Sequence, residues 1–173
     1  MKRPARPLDS NRLEEMALRY VGRFATSRAK LAAYLARKVR ERGWEADDPP
    51  PIEALVERFA RNGYVDDAAF AAMKQRDLTA RGYGSRRVGQ ALHAAGIGEE
   101  DRARALEAAE QERVAAALRF AARRRLGPYA ATTIDDPAAR QRALAAFARA
   151  GHDFTLAARI LDTAPGAAFD PHE

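Results

Sequence analysis

Apolar residues recur along the chain at steps of three and four, and glycine, asparagine or proline interrupts them at regular distances. Leu13, Met16, Ala17, Tyr20, Val21 and Phe24 fall on one helical face. Asn11, with Glu14 three residues on, offers that helix a capping box. Ser27 can cap a second helix with Leu31, Tyr34, Leu35 and Val39 on its inner face and Gly43 as its stop. Three prolines close the break at Asp47–Pro51, because none can continue a helix. Ile52, Leu55, Val56 and Phe59 line a third helix, ended by Asn62-Gly63. Asp66 or Asp67 then caps a helix carrying Phe70, Met73 and Leu78, which stops near Gly82-Tyr83-Gly84. Ser85 starts the next, with Val88, Ala91 and Leu92 inward and Gly96 at its end. Glu99 to Leu126 holds neither Gly nor Pro and reads as one long helix or as two with a bend near Glu110. After a loop from Gly127, Asp135-Asp136-Pro137 supplies a cap and a first-turn proline. Leu144 and Phe147 face inward there and Gly151 ends the helix; Phe154, Ala157, Ile160 and Leu161 make the last one. The segment from Ala164, with Pro165, Gly166 and Pro171, is expected to fray.

Composition strengthens the helical reading. Six Val, four Ile and six Thr in 173 residues are too few to fill pleated surfaces, whereas alanine alone fills 41 positions. The chain is expected to be all-α. It has no cysteine, which removes disulfides, a thiol nucleophile and thiolate metal ligands. No apolar run approaches a membrane span, and residues 1–10 are basic and proline-containing without an apolar stretch behind them. A cytoplasmic protein without membrane attachment is the expectation.

The glycine stops carry a repeat. Gly43, Gly96 and Gly151 are 53 and 55 residues apart, and each follows an arginine-bearing amphipathic helix. Between the second and third copies Val88 matches Ala143, Leu92 matches Phe147 and Ala95 matches Ala150. The first copy is longer by about one helical turn. This spacing predicts three tandem three-helix, helix-turn-helix-like repeats over residues 11–64, 65–109 and 110–163. A flexible N-terminus (1–10) and a flexible tail (164–173) would flank them. Modules this small share apolar faces with neighbours, so an elongated, curved body is expected.

Charge follows the same period. The total is +6, and 26 of the 30 cationic residues are arginine. By segment the balance is +8 over 1–43, −3 over 44–62, +2 over 63–98, −3 over 99–113, +5 over 114–150 and −3 over 151–173. The first two helices of each unit are basic and the third is acidic. Two readings stay open: a basic surface facing a partner, or solvated faces paired with neighbouring helices.

Candidate chemistry favours binding over catalysis. Asp66-Asp67 and Asp135-Asp136 sit where helices start, which explains them as caps; metal binding or acid–base work is the competing reading. His93, His152 and His172 are scattered, and no phosphate-binding loop of the Gly-Lys-Ser/Thr kind occurs. No metal or cofactor is expected. Arg81-Gly82-Tyr83-Gly84-Ser85-Arg86-Arg87 places two arginines in a first helical turn, whose free N–H groups would also accept a phosphate. Arg123-Arg124-Arg125 fans around a helix end. Tyr83 and Tyr129 can stack on bases or pack helix ends. Each basic cluster also reads as a solvated helix end.

Gly63-Tyr64-Val65-Asp66-Asp67-Ala68-Ala69-Phe70-Ala71 resembles the Gly-Tyr-aliphatic-Asp-Asp-x-x-Phe-Ala segment of the bacterial RecX regulatory proteins. Arg81 to Val88 follows at the distance that family shows, Leu92 and Ala95-Gly96-Ile97 resemble its Leu-x-x-x-Gly-Ile ending, and Ser27 to Leu31 fits an earlier Ser-x-x-x-Leu position. The extra turn before Gly43 and His152, where the third module often has an aromatic, depart from the pattern. In physical terms Gly63, Tyr64, Asp66, Asp67, Phe70, Gly84 and Gly96 are architectural: stops, caps and a core anchor. The resemblance implies a monomeric, non-enzymatic modulator that docks in the groove of the RecA–single-stranded DNA filament. It would inhibit strand exchange, ATP hydrolysis and coprotease activity. Contacts to the filament or to single- or double-stranded DNA are then expected from Arg28, Lys30, Arg37, Lys38, Arg81, Arg86, Arg87, Arg123, Arg124, Arg140 and Arg142. A stand-alone DNA-binding helix-turn-helix protein is the alternative.

Overall fold

A computed structural model describes residues 6–171. Among them are nine α-helices: α1 (Ser10–Val21), α2 (Arg28–Arg42), α3 (Ile52–Arg61), α4 (Asp67–Ala80), α5 (Ser85–Ala94), α6 (Glu99–Gln111), α7 (Arg113–Arg124), α8 (Pro137–Arg149) and α9 (Phe154–Asp162). The fold is all-α, in an order consistent with three tandem three-helix repeats. The stretch from Glu99 resolves into two helices, broken at Glu112. By packing, the chain forms two compact units. One takes the chain up to Phe70 together with Ala95–Gly98; the other takes Ala71–Ala94 and the chain from Glu99 onward.

In the first unit, Leu13 and Ala17 of α1, Leu31 and Leu35 of α2, and Leu55, Val56 and Phe59 of α3 share a core with Leu8 and Val65. The cap of α1 is Asp9, whose carboxylate accepts from the Arg12 amide at 2.8 Å, not the expected Asn11. Glu14 instead pairs with Arg58 across to α3. Burial takes priority over local capping: Leu8 is fully enclosed, and its backbone bonds Gly43 and Glu45 at 2.9 Å each. Residues 8–10 therefore belong to the fold rather than to a flexible lead-in; residues 1–5 of that stretch lie outside the described residues. Phe24 falls beyond the end of α1 and is 55% exposed, leaning on Tyr20 rather than entering the core.

The start of α2 is tied down three times. The Ser27 hydroxyl accepts from the Lys30 amide at 3.2 Å and donates to the Ala95 carbonyl, and Asp67 accepts from the Arg28 amide at 2.9 Å. Asp66 caps α4 through the Ala69 amide. The two adjacent aspartates thus serve two different helices. A Cβ on Gly96 would lie 2.3 Å from the Ala29 Cβ, so the stop of α5 presses directly on the first turn of α2. Ser27→Ala should cost about 1–3 kcal/mol, because it strips a cap and leaves the buried Ala95 carbonyl unpaired. Urea unfolding followed by circular dichroism measures this, and a loss below a few tenths would show that the hydroxyl carries nothing.

In the second unit, Ala117, Phe120 and Ala121 of α7, Leu144 and Phe147 of α8, and Leu156, Ala157 and Ile160 of α9 form the core. Phe154 is 61% exposed, against expectation. It lies about 110° around α9 from the middle of that helix's buried stripe. Met73 is likewise outward, because Gln75 and Thr79 take inward positions of α4 and satisfy each other by hydrogen bonding. The segment after α9 does not fray as expected. Gly166 donates to the Pro128 carbonyl at 2.9 Å, Phe169 packs on the core, and the Arg159 guanidinium donates to the Asp170 and Pro171 carbonyls.

The repeat glycines make corresponding contacts. As Gly96 meets Ala29, two residues after Ser27, so Gly151 meets Arg87, two residues after Ser85. At Gly43 a Cβ would instead lie 3.9 Å from the Pro7 Cβ.

Candidate functional site

The site is built on the turn between α4 and α5 in the second unit. Gly82 adopts φ +77°, and a Cβ there would lie 2.8 Å from the Phe120 amide nitrogen, so the turn lies directly on the α7 backbone. His152 fastens it from the other side, its Nε2 3.0 Å from the Gly82 carbonyl. Burial holds the His152 imidazole below its ordinary pKa, and the bond to Gly82 opposes this only in part. This fixes Tyr83 at the mouth of an open cleft of about 400 Å³, lined by Tyr83, Phe120, Arg123, Arg124, Ala146, Arg149 and Ala150. The floor is aromatic and small; the rim is arginine. Ala116, Ala117 and Phe120 of α7 face the core, which leaves Arg123 and Arg124 at the exposed helix end, where cations also complement the dipole.

The aromatic rings hold the guanidinium groups. Arg81 and Arg123 lie 5.5 and 5.9 Å from the Tyr83 centroid, and Arg124 lies 5.7 Å from that of Phe120. No acidic residue lines the cleft. Arg81 reaches Asp77 at 3.4 Å; among the described residues Arg123, Arg124 and Arg149 have no carboxylate partner.

Of the residues expected to contact a partner, the structure brings Arg81, Arg123 and Arg124 together around Tyr83. Arg149 was not foreseen. It stands alone in sequence, two residues before Gly151, where the other copies have Glu41 and Ala94. Arg86 and Arg87 are exposed without an acidic partner among the described residues. The first-turn amides beside them are not open to a phosphate, because the Arg86 amide donates to Gly151 and those of Arg87 and Val88 to Gly84.

The remaining candidates are engaged within the fold. Arg28 pairs with Glu57 at 2.9 Å, and Lys30 lies over Phe70. Arg37 and Lys38 flank Tyr34 and share Glu41, whose carboxyl the Lys38 bond holds below its usual pKa. Arg140 is held by both oxygens of Asp162, and Arg142 approaches Asp136 at 3.5 Å. Gly63 takes φ +77°, and Tyr64 folds back onto Phe59 with ring centroids 5.3 Å apart. A Cβ on Gly84 would meet the Gly151 carbonyl oxygen at 2.3 Å.

The cleft is thus an arginine-rimmed concavity with no acidic residue in its lining. Residues 66–106 match the family model described as "RecX, second three-helix domain". Over 171 residues the chain is 35% identical to the regulatory protein RecX of Myxococcus xanthus, covering 95% of this chain and 91% of that one. The regulatory protein RecX of Agrobacterium fabrum is 30% identical over 131 residues, 73% and 69% of the two chains. This chain belongs to the RecX family of regulatory proteins. Two crystal structures share the fold. One, of regulatory protein RecX, gives a TM-score of 0.62 at 19% identity over 88% of this chain and 71% of that one. The other, of RecX from Lactobacillus salivarius, gives 0.60 at 15% identity over 87% and 92%. Among the described residues no helix is long and apolar enough to cross a membrane, and no group of three or more His, Cys, Asp or Glu side chains is placed to hold a metal.

Proposed function

We propose that this chain is a monomeric, non-enzymatic cytoplasmic regulator of the RecA recombinase that binds the RecA–single-stranded DNA filament. The observation that carries the reading is the match along 95% of its length to a regulatory protein of the RecX family. The structure supports a steric and electrostatic mode of action. Arg86 and Arg87 on α5, Arg123 and Arg124 on α7 and Arg149 on α8 present charge that no carboxylate among the described residues neutralises. A filament of nucleic acid and protein is a repeating polyanion to which such a surface is attracted. Bound across successive protomers, the protein would slow strand exchange, ATP hydrolysis and coprotease activity without chemistry of its own.

The test is addition of the purified chain to RecA-coated single-stranded DNA, following ATP hydrolysis and filament length. Hydrolysis should slow and filaments should shorten at well under one molecule per RecA. No effect even at equal concentrations would overturn the reading. Arg86→Ala with Arg87→Ala should weaken the inhibition while leaving helicity unchanged, since both side chains are exposed.

A further inference from the structure

We propose that the face formed by the end of α9 and the turn Gly127–Tyr129 is a peptide-docking groove. The chain's own segment 164–171 occupies it in cis, and an aromatic-anchored segment of a partner protein displaces that occupant. The inference stands on this face alone and does not depend on the filament reading.

The seat is built without help from the segment that fills it. Gly127 adopts φ +54°, and a Cβ there would collide with the Ile160 carbonyl oxygen, so the turn presses on the α9 backbone and fixes the Pro128 carbonyl. The Thr163 hydroxyl closes the helix by donating to the Arg159 carbonyl at 2.9 Å, and Arg140 holds Asp162 through both oxygens. A surface ordered in advance spends little of its binding energy on ordering itself.

The ties to the segment are those of a bound peptide. Its main chain supplies them: Gly166 donates to the Pro128 carbonyl at 2.9 Å, and the Arg159 guanidinium donates to the carbonyls of Asp170 at 2.7 Å and Pro171 at 3.3 Å. The two arginine bonds are charge-assisted and so the stronger ones. One side chain serves as anchor: Phe169 packs on the core, with its ring centroid 5.3 Å from the Arg159 guanidinium. Main-chain bonds with a single aromatic anchor let a groove take peptides of varied sequence. The true core of this unit differs, since Phe147 and Ile160 are fully buried and Phe169 only half-buried.

The fit is incomplete, and this defines the competitor. An open cleft of about 390 Å³ remains, lined by Arg159, Asp162 and Thr163 on one side and by Ala167 and Ala168 on the segment. Two methyl groups cannot fill it. A partner segment with the same aromatic anchor and long apolar side chains in place of those alanines covers more surface, at about fourfold in affinity per buried methylene. The hinge allows the exchange: a Cβ on Gly166 would meet nothing within 4 Å, so no packing locks the bend.

The test uses the full chain and a labelled synthetic peptide of residues 164–171, followed by fluorescence anisotropy. The tethered segment acts at an effective concentration in the millimolar range, so the native chain should bind the peptide weakly. Phe169→Ala in the chain frees the seat and should tighten binding of the native peptide about tenfold or more, with helicity unchanged. Adding Arg159→Ala to that variant should abolish the gain. A peptide carrying Ala168→Leu should bind the Phe169→Ala chain about fourfold more tightly or better. No gain in the Phe169→Ala chain would overturn the proposal, and so would loss of its helicity, which would make the segment core rather than ligand. Dimers of the native chain that the free peptide dissolves would make the occupant a second copy and overturn the assignment to a partner protein. RecA is absent from the assay, so failure here leaves the filament reading standing, and a chain that binds the peptide but leaves filaments untouched keeps only this inference.

Discussion

Gly151→Ala should destabilise the protein by about 3–5 kcal/mol, whereas Gly63→Ala, in the segment that best matches the family pattern, should cost only about 1–2. Both glycines sit at left-handed φ, +92° and +77°, and both therefore carry the penalty of placing a Cβ in that conformation. They differ in what the Cβ would meet. Nothing lies within 4 Å at Gly63; at Gly151 the Arg87 amide nitrogen lies at 2.4 Å and its Cβ at 2.7 Å. These are backbone and backbone-proximal atoms of a helix start, which cannot swing aside, so overpacking adds to the conformational cost. The displaced turn also carries the Gly151 carbonyl that accepts from Arg86 and the Ala150 carbonyl that accepts from Gly84. Urea midpoints of the full-length variants decide it. If Gly151→Ala falls no further than Gly63→Ala, close contact between corresponding helix starts and glycine stops is not what holds this unit together.

That contrast shows which parts of the fold the sequence displays. Most helix positions, most stops and the period near 54 are legible because spacing and punctuation are local properties: Gly43, Gly63, Gly96 and Gly151 all adopt positive φ. What escaped was non-local. Leu8 precedes the first periodic run, and only its burial beside Trp44 and Gly43 shows that the chain start is part of the core. Gln75 and Thr79 read as polar surface on α4, because their mutual hydrogen bond, which makes burial tolerable, has no signature in a hydrophobic pattern. Asp67 reads as a second cap for α4, although its carboxylate reaches back 39 residues to α2.

The cleft was half legible for the same reason. Arg81, Tyr83, Arg123 and Arg124 are conspicuous as clusters in the chain, but clusters alone do not distinguish a solvated helix end from a shared surface. Gly82 brings them together by pressing the α4–α5 turn onto α7, and that approach is invisible until the backbone is seen. Arg149 was missed because it stands alone in sequence. Conversely Arg140 and Arg142 look like candidates, yet Asp162, 22 residues away, takes up the first and Asp136 approaches the second.

Lowering the pH below about 6.5 should destabilise the second unit through His152 and steepen its acid unfolding. The side chain is 3% exposed and packs between Phe120 and Phe147, with ring centroids at 5.5 and 5.6 Å. Burial among these rings favours the neutral imidazole, so the folded pKa lies below the ordinary 6.5 that the unfolded chain keeps. The unfolded state therefore binds the proton first. Stability contributed by the neutral ring is complete above that value and is lost as the pH falls through the folded pKa, at up to about 1.4 kcal/mol per pH unit for one proton. His152→Phe separates packing from titration. The phenyl ring keeps the contacts with Phe120 and Phe147 but cannot donate to the Gly82 carbonyl, so at pH near 8 the variant should be less stable by about 1–2 kcal/mol. Between about pH 7 and 5 its stability should fall less steeply than that of the native chain. Parallel curves over that range would mean that His152 does not titrate on unfolding and that other groups drive the acid transition.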